Sequence, residues 1–373
     1  MPNSISIYSP GRVNIIGEHT DYNKGLVLPG AVDKSCKIDI VLSSNPQAFS
    51  IHSKNLNQIV EWNVVDPIPE TQWCTAIFSL IRDMTLKHTN IKGVEITLDS
   101  NIPIGGGMSS SSAILCGVAH GLFAMFEIFI EPLAEVQYCQ QIEEAFSGVR
   151  GGIMDQLACY FGKKDHVIFL DCGSLEFEYI PWKPIGYQLY LINTHVSHEL
   201  ANSEYNKRRE ECESALEILQ QHIPELDSFS QLTLDQLAAH VFHLSAVQFK
   251  RCRHVITENQ RVLDTIKAME KDDFSKLGRH LNASHQSLRD DYEVSCPELD
   301  FLSDKLNAQR GIAGCRMMGG GFGGCTLVLA ENASFTDFSL VASAYRKQFG
   351  IDLSVYEVSI SDGLFACDTH RNG

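Results

Sequence analysis

Positive charge is scarce in this chain. Its 373 residues carry 30 Lys and Arg against 46 Asp and Glu, a net charge of −16 with His neutral. A surface this acidic repels a phosphodiester backbone, which is bound through clustered Lys and Arg that displace counterions. Nucleic acid and anionic membrane are therefore not expected as partners. Paired cysteines are missing too, since none of the 12 Cys forms a C-x-x-C. His195 and His198 are spaced by three, as are His240 and His243, but no Cys or acidic partner stands at ligand spacing, so zinc is not expected. Scattered thiols, with a start Met1-Pro2-Asn3-Ser4 that has neither a basic nor an apolar leader region, point to a reducing compartment, the cytoplasm. The one long apolar run, residues 113–130, is broken by His120, Glu127 and two glycines. It falls short of the ~20 apolar residues of a membrane span and reads as a buried helix in a soluble protein. No tandem repeat or low-complexity linker is visible.

What is present supports large cores: 44% of residues are hydrophobic and 20% charged, which excludes disorder. At roughly 150 residues per domain the length suits two domains. Strand-like runs fall at 4–8, 36–42 and 94–98, and a helical pattern at 72–86. A Gly/Ser loop at 105–112 leads into the apolar helix, and a second helix follows around 133–146. Residues 166–170, 188–192 and 325–329 read as strands. The polar-amphipathic stretches 203–221 and 246–290 read as helices that carry most of the later charge. The fold class is α+β, with an N-terminal lobe over 1–180 and a C-terminal lobe over 181–373.

If the substrate is a phosphate compound, so acidic a chain must meet its charge locally. The segment Pro103-Ile104-Gly105-Gly106-Gly107-Met108-Ser109-Ser110-Ser111-Ser112-Ala113 can do so. Three glycines let the main chain approach a ligand closely, and the serines open a helix whose unpaired N–H groups suit an anion. A serine hydroxyl there can also ligate Mg²⁺. The segment is not a Walker A loop, because no G-K-[ST] follows the glycines. A second cluster, Gly319-Gly320-Gly321-Phe322-Gly323-Gly324, satisfies G-x-G-x-x-G as a string. A strand rather than a helix follows it, which argues against a dinucleotide fold and a nicotinamide oxidoreductase, and for a tight turn. In Pro10-Gly11-Arg12-Val13-Asn14-Ile15-Ile16-Gly17-Glu18-His19-Thr20-Asp21-Tyr22, carboxylates and an imidazole crowd between apolar runs. That is the chemistry of a polyol site, although a solvated polar turn would read the same. Asp155, after Gly151-Gly152-Ile153-Met154, reads as a site acid or as a helix cap, the commoner fate of such an Asp, and Glu143 and Glu144 as site acids or a solvated helix face.

Taken together, the strings at 11–22, 105–113 and 319–324 resemble the galactokinase family, within the wider superfamily of galactokinase, homoserine, mevalonate and phosphomevalonate kinases. Further matches run through 152–156, 203–205 and 284–299, so the resemblance spans essentially the whole chain. It implies a two-lobed sugar kinase with its active site in the inter-lobe cleft, using ATP and Mg²⁺ to phosphorylate the C1 hydroxyl of D-galactose. By the same resemblance Asp155 and Arg12 are catalytic, and Glu18, His19, Thr20, Asp21, Gly152 and Tyr205 are substrate-binding together with Asp155. Gly105, Gly106, Gly107, Met108, Ser109, Ser110 and Ser111 match the phosphate loop, and Ser111 and Glu143 the Mg²⁺ ligands. A monomer is expected. The same motifs would suit a kinase of another sugar, such as N-acetylgalactosamine or a uronic acid. A non-catalytic galactose and ATP sensor is disfavoured because the serine loop is intact. Departures from the family are the eleven residues before Arg12, where members carry a longer leading segment, and Ala76 in place of a tyrosine three residues after Trp73. Met108 stands for Leu and Ser112 for Ala. All are expected to lie outside the chemistry.

Overall fold

The structure is a computed structural model that describes residues 2–367 except 70, 72, 198–200 and 336. In chain order the first half comprises β1 (Ser4–Asn14), β2 (Leu26–Val27), β3 (Pro29–Leu42), β4 (Ala48–Ser53), β5 (Gln58–Asn63), α1 (Thr75–Lys87), β6 (Val94–Ser100), α2 (Ser110–Met125), α3 (Pro132–Ser147), α4 (Met154–Phe161), β7 (His166–Asp171) and β8 (Phe177–Pro181). The second half comprises β9 (Tyr187–Ser197), α5 (Ala201–Gln220), α6 (Leu234–Ala239), α7 (Ala246–Met269), α8 (Phe274–Ser287), α9 (Pro297–Asn307), β10 (Ile312–Met318), β11 (Gly323–Glu331), α10 (Ser339–Phe349), β12 (Ser354–Val358) and β13 (Phe365–Cys367).

Two sheets carry the lobes. The first has the order β13-β1-β3-β6-β4-β5, antiparallel except for the β4/β6 pair. The second, β10-β11-β9-β12, is antiparallel throughout. A small sheet, β2-β7-β8, meets β3 through β7 and α7 through β2. The chain does not stay in the second lobe. Val32 bridges Ile360, and β13 pairs with β1 through Tyr8 and Phe365. The main core is continuous across both lobes, joining Ile7 and Ile38 of the first sheet to Leu189 and Leu327 of the second. No helix among the described residues is long and apolar enough to cross a membrane.

The expected helices and strands form, with informative differences. The strand expected at 4–8 runs on to Asn14, so half of the polar-looking motif is buried sheet. The helix expected at 72–86 is α1, and Gln72 itself lies outside the described residues, as does His198. The stretch 246–290 is two helices: Asp273 caps α8 by accepting from the Lys276 N–H (2.9 Å), and one π-helical turn, Leu288–Tyr292, ends it. Part of its charge points inward, since Arg251, His254 and Glu258 are all buried, while Lys267, Glu270, Lys271, Lys276 and Arg279 are exposed. The hairpin β4–β5 and the short strands β8, β12 and β13 carry little apolar periodicity and escape a sequence reading.

The glycines that seemed to interrupt the apolar helix explain how it packs. Gly117 and Gly121 lie one turn apart on α2, against Ile38 and Ser9, and against Ile40 and Ile7. A Cβ on Gly117 would come within 2.9 Å of the Ser9 Cβ, and one on Gly121 within 2.6 Å of Ile40 Cδ1. These contacts set how closely the helix behind the phosphate loop lies on the sheet. Gly117→Ala would gain about 1 kcal/mol of helix propensity. It should lose about 1–3 kcal/mol to overpacking against a strand that cannot yield. The expected outcome is a net loss of stability, read as a lower urea midpoint at unchanged m-value.

Candidate active site

The cleft between the lobes holds about 400 Å³, lined by Arg12, Glu18, His19, Asp21, Glu143, Gly152, Asp155, Tyr205 and Gly319–321 among others. Most of these groups come from the end of β1, the turn after it, the start of α4 and the C-terminal part of α3. Tyr205 comes from α5, and the glycines from the turn between β10 and β11. That turn is followed by strand β11, as the sequence suggested, and residues 319 and 321–324 all have positive φ.

Arg12 is the centre. Its Nε donates to Asp155 Oδ1 (2.6 Å) and its Nη1 to the Gly107 carbonyl (2.6 Å), while its main-chain N–H donates to the Met108 carbonyl (3.0 Å). Burial works against the guanidinium charge, but Asp155 and Glu18 hold it above its ordinary pKa. Asp155 Oδ2 accepts from Ser109 Oγ (2.5 Å). The carboxylate is therefore held from both sides, by a strand and by the glycine loop. Ser109 sits in the left-handed region at φ 51 immediately before α2, strain of a kind that gathers at functional sites. No side chain caps the first turn of α2 and no acid lies in it, so its N–H groups are left to face an anion.

Glu143 lies beside this loop. Its Oε1 accepts from Ser111 Oγ (2.5 Å), and its Oε2 from Ser112 Oγ (2.8 Å) and Gln156 Nε2 (2.7 Å). Ser112, a departure from the family expected to be inert, thus orients this carboxylate. Ser111 and Glu143 present two hard oxygen donors in one place. That fits Mg²⁺, which keeps several waters and asks for one or two protein oxygens. Among the described residues, no three His, Cys, Asp or Glu side chains gather at metal-binding geometry.

On the other side of Ser110, Ser111 and Glu143 lies an apolar cleft of about 450 Å³, lined by Trp73, Ala76, Ile77, Leu98, Ile102 and Ile114 among others. The sequence reading missed it, since its residues come from α1, β6 and α2 at ordinary core spacing. Ala76, taken as remote from the chemistry, is part of its wall.

Two expected site residues keep their side chains out of the cleft. Thr20 is fully buried, and its hydroxyl donates to the carbonyls of Gly17 (2.9 Å) and Leu26 (2.7 Å). It closes the turn and does not line the cleft. The Met108 side chain is buried in the main core, so only its main chain belongs to the loop. The rest of the turn faces the cleft. Glu18 is buried against Arg316 (2.5 Å), a fully buried arginine that also donates to the carbonyls of Ile15 and Met317. Burial raises the Glu18 pKa, against the pull of Arg316 and Arg12. Arg316 sits mid-strand in β10, and nothing in the residues around it signals its role. Burial pushes His19 down to about 3, so its imidazole is neutral. Its Nδ1 pairs with Tyr22 Oη (2.7 Å), while its Nε2 is buried and, among the described residues, makes no full hydrogen bond, with the Gly320 main chain its neighbour. A Cβ on Gly152 would overlap the Asp21 carboxylate, so only glycine fits there.

Burial and the neighbouring Asp155 push Asp21 from 3.8 up to about 7. Between those values the native chain holds a proton that the unfolded chain has released, so this group makes stability fall as pH rises. Asp21→Asn removes the effect. Relative to wild type, its unfolding free energy should rise between pH 4 and pH 7 and stay level above, in denaturant titrations at a series of pH values.

Comparison with known proteins agrees with this geometry. The galactokinase galactose-binding signature matches residues 2–38, the GHMP kinases N terminal domain residues 75–163 and the GHMP kinases C terminal domain residues 265–349. The chain is 43% identical over 361 residues to the galactokinase of Thermotoga maritima, covering 96% of this chain and 99% of that one. It is 37% identical to the galactokinase of Fusobacterium nucleatum, covering 95% and 93%. The crystal structure of Lactococcus lactis galactokinase complexed with galactose superposes with a TM-score of 0.89 at 32% identity, covering 97% of this chain and 95% of that one. A mevalonate kinase at 17% identity shares the fold, with a TM-score of 0.64. The chain belongs to the galactokinase family.

Proposed function

We propose that this protein is an ATP- and Mg²⁺-dependent kinase that phosphorylates the C1 hydroxyl of D-galactose, giving galactose 1-phosphate and ADP. The observation that carries the reading is Asp155, held by Arg12 on one oxygen and by the glycine-loop Ser109 on the other, in the cleft that Glu18, His19 and Asp21 line. One carboxylate thus touches both the phosphate side and the sugar side. Phosphoryl transfer asks mainly for positioning and electrostatic stabilisation, and this arrangement supplies both.

The sugar lies against Glu18, His19, Asp21 and Tyr205, with Gly152 letting Asp21 approach. Asp155 orients the C1 hydroxyl and takes its proton as the oxygen bonds to the γ-phosphorus. The bond from that phosphorus to the β–γ bridging oxygen breaks, and ADP leaves with that oxygen. Arg12 offsets charge on the transferring group. The triphosphate is held by the N–H groups of Gly105–Gly107 and the first turn of α2. The adenine base occupies the apolar cleft, which meets the loop at Ser110 and Ser111. Ser111 and Glu143 would hold Mg²⁺, which supplies charge neutralisation on the phosphates when bound. The protein acts in the cytoplasm as a monomer. All twelve cysteines are free thiols, in keeping with a reducing compartment.

Asp155→Asn should lower kcat by ~10² or more with little change in galactose or ATP binding, measured by coupled ADP release and by calorimetry. A buried carboxylate that loses its hydroxyl partner stays desolvated, so discrimination by this site can reach ~10⁴. Wild type should prefer galactose strongly over glucose in kcat/KM. Comparable values for the two sugars would leave a broad-specificity sugar kinase. The serines should separate by readout. Ser111→Ala should raise the Mg²⁺ concentration needed for half-maximal activity, whereas Ser109→Ala, which frees one oxygen of Asp155, should lower kcat at unchanged Mg²⁺ dependence. Superimposable Mg²⁺ titrations for the two variants would count against the assignment of Ser111.

A further inference from the structure

Buried charge that does not line the cleft is concentrated on one face of α7. His254 and Glu258 are four residues apart, one above the other, and neither has any exposed surface. His254 Nε2 donates to the Glu18 carbonyl (3.0 Å), and its Nδ1 accepts from Ser287 Oγ (2.9 Å), which fixes the tautomer. Burial lowers this imidazole to about 4, so it is neutral. Glu258 Oε1 accepts from the main-chain N–H groups of Gly17 (3.0 Å) and Glu18 (3.2 Å) and from Ser284 Oγ (2.6 Å). Its Oε2 accepts from Arg261 Nε (2.6 Å). The next residue, Asn259, accepts from the Leu26 N–H through Oδ1 (2.8 Å). A helix of the second lobe thus grips the main chain at both ends of the turn that carries Glu18, His19 and Asp21.

The turn needs such a grip. Gly17 and His19 have φ of 98° and 61°, so their neighbourhood cannot join a sheet or a helix, and its buried amides need an acceptor from elsewhere. A buried carboxylate is a costly acceptor unless every lone pair is used. Here four donors and the Arg261 charge hold it ionised, at about 2 despite its burial. Apolar residues in place of Glu258 and Arg261 would only spare the cost of burying the charges. What they could not do is set the direction of the Gly17 and Glu18 peptides, and with it the aim of the side chains that follow.

We infer that Glu258, backed by His254, is a positioning residue for sugar binding: it touches no substrate and fixes the peptide geometry that points Glu18 and His19 into the cleft. This rests on the reading of that turn as the galactose site. Glu258→Gln preserves shape but inserts a mismatch. With its carbonyl toward the turn, its NH₂ meets the Arg261 N–H; turned over, it meets two peptide N–H groups. The double variant Glu258→Gln/Arg261→Met removes the opposing donor and lets the carbonyl stay on the turn.

The test is steady-state kinetics of wild type, Asp21→Asn, Glu258→Gln, Glu258→Asp and the double variant, with galactose and ATP varied in turn. Glu258→Gln should raise the galactose KM tenfold or more while the ATP KM stays within twofold, and the double variant should recover most of the loss. Glu258→Asp, charged but one methylene short, should show the same split, and it decides the matter if the Gln variant is not recovered folded. A galactose KM within twofold of wild type, or galactose and ATP KM rising together, overturns the positioning role. So does a double variant with a higher galactose KM than Glu258→Gln. Asp21→Asn separates the two levels. A wild-type galactose KM in Asp21→Asn overturns the sugar-site assignment itself, whereas a raised one beside an unaffected Glu258→Gln overturns the positioning role alone.

Discussion

The ion pair between Arg12 and Asp155 is the constraint on which the rest of the site depends. One guanidinium reaches the acid on α4 and the carbonyl of Gly107, and the same residue's main chain holds the carbonyl of Met108. Strand, helix and glycine loop are therefore positioned from a single side chain. Taking such a pair out of water is costly, and it is favourable only where the remaining donors and acceptors are matched. Ser109 supplies the missing match on Asp155. Because a guanidinium does not lose its proton, Arg12 keeps its charge and its full set of donors whatever the pH.

The serine-rich start of α2 works in an unexpected direction. Its hydroxyls turn toward the protein's own carboxylates, Ser109 to Asp155 and Ser111 and Ser112 to Glu143. That leaves the main-chain N–H groups of the first turn for an anion. A chain with net charge −16 can in this way handle a polyphosphate with no basic patch, because helix and loop amides carry no counterion cost and do not attract nucleic acid.

Much of this was legible in the sequence, and the limits are physical. Glycine and serine clusters announce themselves because few folds tolerate them between a strand and an apolar helix, and carboxylates among apolar residues stand out for the same reason. Groups that act on main-chain atoms leave no such trace. Arg316, Glu258 and His254 sit in ordinary strand or helix sequence, and a charged residue on a helix reads as solvated unless its partner across the fold is known. Thr20 shows the reverse error: within a motif whose Glu18, His19 and Asp21 line the cleft it faces inward, because closing a tight turn needs a hydroxyl as much as binding does. The apolar cleft beside the serine loop was invisible because its walls have the composition of core.

The pairing of β13 with β1 ties the fold to the timing of synthesis. Tyr8 and Phe365 stack face to face across that pair, with ring centroids 5.2 Å apart. At ribosomal rates of 5–20 residues per second, the two are made on the order of tens of seconds apart. Through that interval the strand that carries Arg12 has β3 on one side and nothing on the other. The first lobe can thus collapse early, but Ser6–Tyr8 of β1 lack their outer partner strand until residue 367 has emerged. An open strand edge is a template for other chains. The newborn protein therefore exposes the first half of the strand that carries Arg12 to intermolecular pairing, and the pairing that covers it is long-range and slow to form.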